Sequence, residues 1–385
     1  MLKNVTDTVF YVGVDDKDID LFENQYIVPN GIAYNSYVIM DEKIAIMDMV
    51  DAKCADQWFA NVAEVLGDRQ PDYLIISHLE PDHSANLGDV LAKYPDIKIV
   101  SNAKLFAMLP NFFEVPVADR SVTVAEGQTL SLGSHTLQFF MAPMVHWPEV
   151  MVTYEQSEKI LFSADAFGKF GTLDTDEDWA CEARRYYFNI VGKYGMPAQA
   201  LLKKAAGLDI QKICALHGPI LTENLEYYIG KYQLWSTYTH EDEGIFIAYC
   251  SLHGNTEKAA KKLAEILEAK GAPKVAISDL SRDDMAECIE DAFRYDRLVL
   301  AAPTYDGGVM PVMADFINHL KMKAYQKRKV AFIENGSWAP MAAKLMKEQM
   351  AAMKDIEIVD EHVTIRSAFK QSDVAALEAL AGKLL

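Results

Sequence analysis

The sequence predicts an α/β protein of two unlike units, the second a doubly wound sheet of five parallel strands. Three observations point there. At 385 residues the chain is longer than one hydrophobic core usually serves, so two or three domains are expected. From Ile245 onward, buried apolar runs alternate with amphipathic helical stretches, the pattern of a parallel sheet covered on both faces. Earlier, short strand-like runs such as "TLQFFMA", "EVMVTYE" and "KILFSAD" are mixed with helices in hairpin-like succession, each bounded by polar or Gly/Pro punctuation.

The second unit reads in order as strand "IFIAYC", turn "SLHGNT", helix "EKAAKKLAEILEAKG", strand "KVAISDL", a helix near 283–292 and strand "RLVLAAP". Turn "TYDGGVM", a helix to about Lys323, strand "KVAFIEN", turn "GSWAP" and a helix of Met/Ala/Lys spacing follow. Strand "EIVDEHVTI" and helix "DVAALEALAGKLL" close it. The charged stretch "YTHEDEG" reads as a linker, so the expected units are 1–243 and 244–385. They do not resemble each other, and neither contains a repeat.

Half of the residues are apolar, and Lys plus Arg number 37 against 56 acidic residues, a formal charge of −19. No basic block stands out. Nucleic acid and anionic membrane are disfavoured as partners; small molecules, gases or an electron-carrier protein stay open. The start "MLKNVTDTVF" has no apolar leader core, and no apolar run approaches the ~18 residues needed to span a bilayer. The five cysteines are scattered and never paired as C-x-x-C, which disfavours disulfides, a zinc ribbon or a rubredoxin-type iron site. A cytoplasmic location is expected.

Two constellations carry chemistry. In "SHLEPDHSANLG", His78, Glu80, Asp82 and His83 fall on a loop straight after the apolar "YLII". Such a loop can wrap side chains around a point. His146 in "APMVHWPEV", Asp165 in "LFSADAFG" and His217 in "ALHGPI" also follow strand-like runs and precede turn formers, so all seven converge on one sheet edge. Taken singly, His146 and His217 read as capped or solvated turn residues and Asp165 as a helix N-cap. The dense "HLEPDH" run reads as a metal site on its own spacing. His135, in "SLGSHTL", reads as a surface residue.

The second constellation is "YCSLHGNTEKAA", a polar loop between strand and helix. Helix N-terminal amides with hydroxyls from Ser251 and Thr256 suit a dianionic phosphate. The spacing fits neither a nucleoside-triphosphate loop nor a dinucleotide fingerprint. "APTYDGG" and "ENGSWAP" fall at later strand ends, where ligands of doubly wound sheets bind. "TYDGG" is equally a good turn on composition, and Trp338 could be a packing residue.

"SHLEPDHSANLG", "MVHWPEV", "FSADAFGKFG" and "ALHGPI" resemble the metal motifs of the metallo-β-lactamase superfamily, with Glu80 where the usual H-x-H-x-D-H run has its second His. That departure resembles the flavodiiron proteins. The loop at 251–256 is similar to the flavodoxin phosphate loop. The resemblance implies an N-terminal αββα sandwich followed by a flavodoxin-like sheet. It implies one iron on His78, Glu80 and His146, a second on Asp82, His83 and His217, and Asp165 as bridge. A ligand set this rich in anionic oxygen suits iron.

By the same resemblance FMN contacts Ser251, Leu252, His253, Gly254, Asn255 and Thr256, then Pro303, Thr304, Tyr305, Asp306 and Gly307, and finally Gly336, Ser337 and Trp338. Tyr305 and Trp338 would flank the flavin ring. The implied activity is reduction of dioxygen to water or of nitric oxide to nitrous oxide. Electrons would come from rubredoxin or another external donor, since no rubredoxin-like extension is expected. Head-to-tail homodimers, or dimers of dimers, would join the FMN of one copy to the irons of another. Tyr194 and "RRYYFNIVGKYG" are candidates for tuning gas preference. Two rivals remain: a zinc hydrolase fused to a flavodoxin domain, disfavoured by Glu80, and an electron carrier with a vestigial metal site, disfavoured by seven filled ligand positions.

Overall fold

The computed structural model describes residues 4–385. The chain divides into two compact units between Gln233 and Leu234, before the charged linker rather than after it. The reason is local. Trp235 Nε1 donates to Glu241 Oε2 at 2.8 Å, Lys327 Nζ to Thr237 O at 2.8 Å, and Arg328 to Tyr238 O at 2.8 Å, so the linker residues belong to the second unit.

The first unit stacks two sheets. One runs in the order Val9–Tyr11, Tyr37–Ile39, Ala45–Met47, Tyr73–Ile75, Lys98–Asn102, Ser121–Val124, antiparallel at the first two pairings and parallel thereafter. The other runs Thr129–Ser131, Thr136–Met141, Met151–Glu155, Ile160–Phe162, Lys212–Cys214, a meander closed by one parallel strand. Strand alternation sorts the side chains. Tyr37, Ile39, Ala45, Met47, Ile75 and Val100 face inward on Leu137, Phe139, Met151, Ile160, Phe162 and Cys214. Val38, Ile46, Leu74 and Ile99 face outward on Trp58, Val62 and Leu66, which recur every fourth residue along helix Ala55–Leu66. Each such side chain contributes about 1.5–3 kcal/mol on burial. A one-residue slip of any strand would exchange the two cores.

The second unit has the strand order Val275–Asp279, Asp242–Tyr249, Tyr295–Tyr305, Arg328–Asn335, Ile356–Ile358, parallel throughout. Val363–Ile365 continues the last position beside the far half of Arg328–Asn335, so the single expected strand "EIVDEHVTI" is two pieces on one edge. Helices Asn255–Ala269 and Val374–Leu384 cover one face through Leu263, Leu267, Leu377 and Leu380. Among the described residues no helix is long and apolar enough to cross a membrane.

Candidate functional sites: a carboxylate–histidine cluster and a phosphate-loop cavity

In the first unit both sheets present strand ends at one edge. His78 to His83 follow Tyr73–Ile75, Asp165 follows Ile160–Phe162 and His217 follows Lys212–Cys214, while His146 lies in the turn joining Thr136–Met141 to Met151–Glu155. Backbone hydrogen bonds knit these loops: Met151 N to Ser77 O at 3.0 Å, Met49 N to His83 O at 3.1 Å, Leu216 N to Ala164 O at 2.9 Å.

All seven sequence-predicted residues meet there as two groups. Glu80 Oε2 lies 3.1 Å from His78 Nε2 and 3.2 Å from His146 Nε2. Asp82 Oδ2 lies 3.2 Å from His83 Nε2 and 3.4 Å from His217 Nε2, and these two nitrogens are 3.2 Å apart. Asp165 spans the groups. Its Oδ2 is 3.5 and 3.6 Å from His78 and His146, and its Oδ1 is 3.5 and 3.7 Å from His83 and His217.

Donors about 2.1 Å from a common ion stand roughly 3.0–3.4 Å from one another, so both groups are shaped for a metal. Both oxygens of Asp82 and Oδ2 of Asp165 are buried without a hydrogen-bond partner, a costly arrangement unless a cation fills it. The electrostatics agree. Burial opposes charge on His78, yet Asp165, Glu149 and Glu80 outweigh it and raise its proton affinity well above the ordinary imidazole value. Burial likewise opposes charge on Asp165, and His78, His83 and His146 hold it well below the usual carboxylate range. The cluster draws positive charge.

Supporting groups fix the ligand atoms, and the sequence reading did not single them out. Glu149 Oε1 sits 2.8 Å from His78 Nδ1, leaving Nε2 for the site. Ala33 O does the same for His217 Nδ1 at 2.8 Å. Buried Asp48, pushed up to about 6 by desolvation, accepts from Ser77 N at 2.6 Å. His83 Nδ1 is buried with no hydrogen-bond partner among the described residues, unlike the Nδ1 atoms of His78 and His217. The aromatic segment at 184–195 does reach the cluster, through Tyr186 rather than Tyr194. Tyr186 Oη donates to Asp165 Oδ1 at 3.0 Å and is followed by a π-helical turn, Tyr187–Val191, whereas Tyr194 is half-buried. Glu149 stands in "MVHWPEV", three residues after His146 in the same turn. A carboxylate two residues before the apolar strand Met151–Glu155 was the signal.

His135 is buried, not at the surface: Nδ1 lies 3.0 Å from Glu155 Oε1 and Nε2 3.0 Å from Thr8 Oγ1. A turn-like sequence put it outside, but the long-range partner Glu155, itself wholly buried, draws it in.

The second unit carries a cavity of about 610 Å³ at the carboxyl ends of its strands. Ser251, Leu252, His253, Asn255, Thr256, Pro303, Thr304, Asp306, Gly307, Gly336, Ser337 and Trp338 line it. Gly254 and Tyr305 do not. Gly254 serves instead as the left-handed N-cap of helix Asn255–Ala269, φ 76°. Tyr305 lies at the base of a two-residue hairpin, paired with Gly308, whose turn residues Asp306 and Gly307 both have positive φ, 49° and 72°. That is the Asp-Gly turn expected of tight hairpins. Trp338 is 91% exposed at the rim, so it is not a packing residue within this chain.

Asn335, Ala339, Ser367 and Ala368 also line the cavity. The last two sit in "RSAFK", after the final strand. The rule that ligands gather at strand carboxyl ends, applied once more, identifies them. Ser251 Oγ is buried with no protein partner, and no Lys or Arg lines the cavity. Helix amides and hydroxyls are therefore what a phosphate would meet. Thr304 Oγ1 accepts from Met341 N and Ala342 N at 2.8 and 3.1 Å, and Glu334 from Ala343 N at 3.0 Å, fixing the helix that follows the Trp338 loop.

Residues 32–218 match the ODP family beta lactamase and residues 246–375 the Flavodoxin domain. The chain is 29% identical over 373 residues to a nitric oxide reductase of Moorella thermoacetica, covering 93% of this chain and 91% of that one. Among solved structures it is similar to rubredoxin oxygen:oxidoreductase from Desulfovibrio gigas, with a TM-score of 0.92 at 24% identity over 100% of this chain and 98% of that one. It is also similar to the flavodiiron protein from Giardia intestinalis, with a TM-score of 0.93 at 22% identity over 100% and 96%. These two likenesses speak for the fold, and with the family matches they give an αββα metallo-β-lactamase-like unit followed by a flavodoxin-like one.

Proposed function

We propose that this chain, which belongs to the flavodiiron family, is an oxidoreductase that passes electrons from an external donor through FMN to a pair of non-haem irons, where dioxygen is reduced to water or nitric oxide to nitrous oxide. The observation that carries this reading is Asp165, whose two carboxylate oxygens each face a separate carboxylate–histidine group. When bound, FMN supplies electrons singly or in pairs, and two irons supply a place where both atoms of the gas are reduced together.

The chain's own residues do the rest. His78, Glu80 and His146 would hold one iron, Asp82, His83 and His217 the other, with Asp165 between them. Glu149 and Ala33 O present Nε2 of His78 and of His217 to the ions. Three ligand carboxylates favour iron over zinc, which disfavours the hydrolase reading. Ser251, Thr256 and the amides of helix Asn255–Ala269 would hold the FMN phosphate, and the loops at 303–307 and 335–339 the ring.

Support for both gases comes from relatives named for each. A rubredoxin-like donor and a head-to-tail homodimer follow from the family resemblance, and exposed Trp338 offers a contact. Five free cysteines support a cytoplasmic setting.

The test is iron and FMN content per chain, then anaerobic photoreduction followed by measured consumption of each gas. About two irons, one FMN and rapid turnover are expected. Zinc in place of iron, with neither gas consumed, overturns the reading.

A further inference from the structure

The sheet that presents His146 and Asp165 at one edge gathers a second set of ligand-type side chains at the other. His135 sits in the turn between strands Thr129–Ser131 and Thr136–Met141, and Glu155 and Glu158 where Met151–Glu155 turns into Ile160–Phe162. His146 lies at the opposite strand ends, between Thr136–Met141 and Met151–Glu155. We infer that His135, Glu155 and Glu158 bind one divalent first-row metal ion, of which zinc fits best, separately from the carboxylate–histidine cluster. The inference does not rest on the proposed function.

One ligand atom from each of the three lies within 4.8 Å of the other two. Glu155 is wholly buried and His135 nearly so, while Glu158 is half-buried and leaves one side open to solvent.

Hydrogen-bond accounting shows what the site lacks. Thr6 Oγ1 accepts from Thr8 N at 3.2 Å and Val9 N at 3.0 Å, and donates to Glu158 Oε2 at 2.5 Å. Thr8 Oγ1 donates to Glu158 Oε1 at 3.0 Å. Its one hydrogen is then spent, so it can only accept from His135 Nε2, also 3.0 Å away. Nε2 therefore carries the ring hydrogen, and a neutral histidine is left with a bare lone pair on Nδ1. Glu155 Oε1 stands 3.0 Å from Nδ1, on an approach too bent for a good hydrogen bond, and Nδ1 has no other partner among the described residues.

Glu155 is itself held from behind: Oε1 accepts from Ser157 N at 2.9 Å and Oε2 from Glu158 N at 2.6 Å. Among the described residues neither glutamate has an ion pair with a lysine or arginine. Without metal, a proton on Nδ1 balances one of the two negative charges; a divalent cation balances both. A nitrogen and an oxygen 3.0 Å apart also have the spacing of two ligands each about 2.1 Å from one ion. One imidazole and two carboxylates suit zinc or its first-row neighbours, with a position left for water. A buried ion pair alone would account for His135 and Glu155. It would not account for Glu158, whose two oxygens are each held by a threonine hydroxyl from the start of the chain.

Zinc binding to the purified holoprotein tests this. In equilibrium dialysis against zinc chloride, wild type should hold one zinc per chain beyond the metals of the cluster, with its iron content unchanged and its melting temperature raised. Glu158→Gln keeps the shape and leaves the His135–Glu155 contact in place. It should hold the same iron, bind that zinc at least about 100-fold more weakly, and melt at one temperature with or without zinc. Thr8→Val removes only the acceptor behind Nε2 and should weaken zinc binding about 10- to 100-fold. Zinc that enters only as iron leaves, or that binds E158Q as tightly as wild type, overturns the inference. A cluster that holds zinc instead of iron overturns the proposed function and leaves the inference to the same comparison, in which E158Q carries one ion fewer than wild type.

Discussion

Glu149 stands behind His78, its Oε1 2.8 Å from Nδ1 and accepting the Leu79 N–H at 3.0 Å, with both side chains buried. It thereby fixes which ring nitrogen faces the cluster and holds the loop that carries Glu80. Glu149→Gln keeps the shape and removes the charge. Loss of such a partner usually weakens metal binding 10- to 100-fold, so chelator competition should release one metal readily from E149Q while the group with His217 retains the other. Equal loss of both metals would contradict this division.

Acid should empty the cluster. Burial works against protonating His78 and His83, but Asp165 and Glu149 around the first and Asp82 and Asp165 around the second raise both imidazoles above the ordinary 6.5. Protons therefore compete with metal at higher pH than for free imidazole. Iron(II) added anaerobically to the metal-free protein in weak buffer should release protons, and retained iron should fall as pH falls.

His135 and Glu155 form a structural pair. The hydrogen bond to Glu155 raises His135 above 6.5; burial opposes charge on Glu155, and the His135 contact outweighs it and lowers Glu155 below 4.5. The histidine's contribution is full below 6.5 and lost as pH rises through its raised value. The glutamate's is full above 4.5 and lost as pH falls through its lowered value. His135→Ala should cost about 3 kcal/mol, and the melting-temperature gap to wild type should be widest between pH 4.5 and 6.5, narrowing on either side.

Ser251→Ala separates binding from folding. Its Oγ is buried without a protein partner, so without FMN the hydroxyl is a net cost of about 1 kcal/mol. The variant should melt at or slightly above the wild-type temperature when FMN-free, yet bind FMN about tenfold more weakly, one hydrogen bond to an anion being worth ~1.5 kcal/mol. Flavin fluorescence titration beside thermal melts measures both.

How legible this was depended on range in sequence. The doubly wound unit could be read nearly element by element, because each helix and strand answers to its own apolar period and each loop to Gly, Asp or Pro within it. The seven cluster residues were legible because four crowd into "HLEPDH" and the others repeat one context, a polar residue just past an apolar strand. Glu149, Asp48, Tyr186 and His135 were not. Each acts through a partner far away in the chain, and a carboxylate or tyrosine carries no local mark of what it will meet.

That a doubly wound unit follows an unlike α/β unit, and that the seven cluster residues and the loop at 251–256 stand just past apolar strand runs, was set by the sequence alone, since local periodicity and turn chemistry decide such features. Only the tertiary structure decided that Asp165 turns one oxygen to each histidine group and that Glu149 stands behind His78. Those relations arise where two sheets bring remote loops to a common edge, and close packing, which no local pattern encodes, fixes distances there to tenths of an ångström.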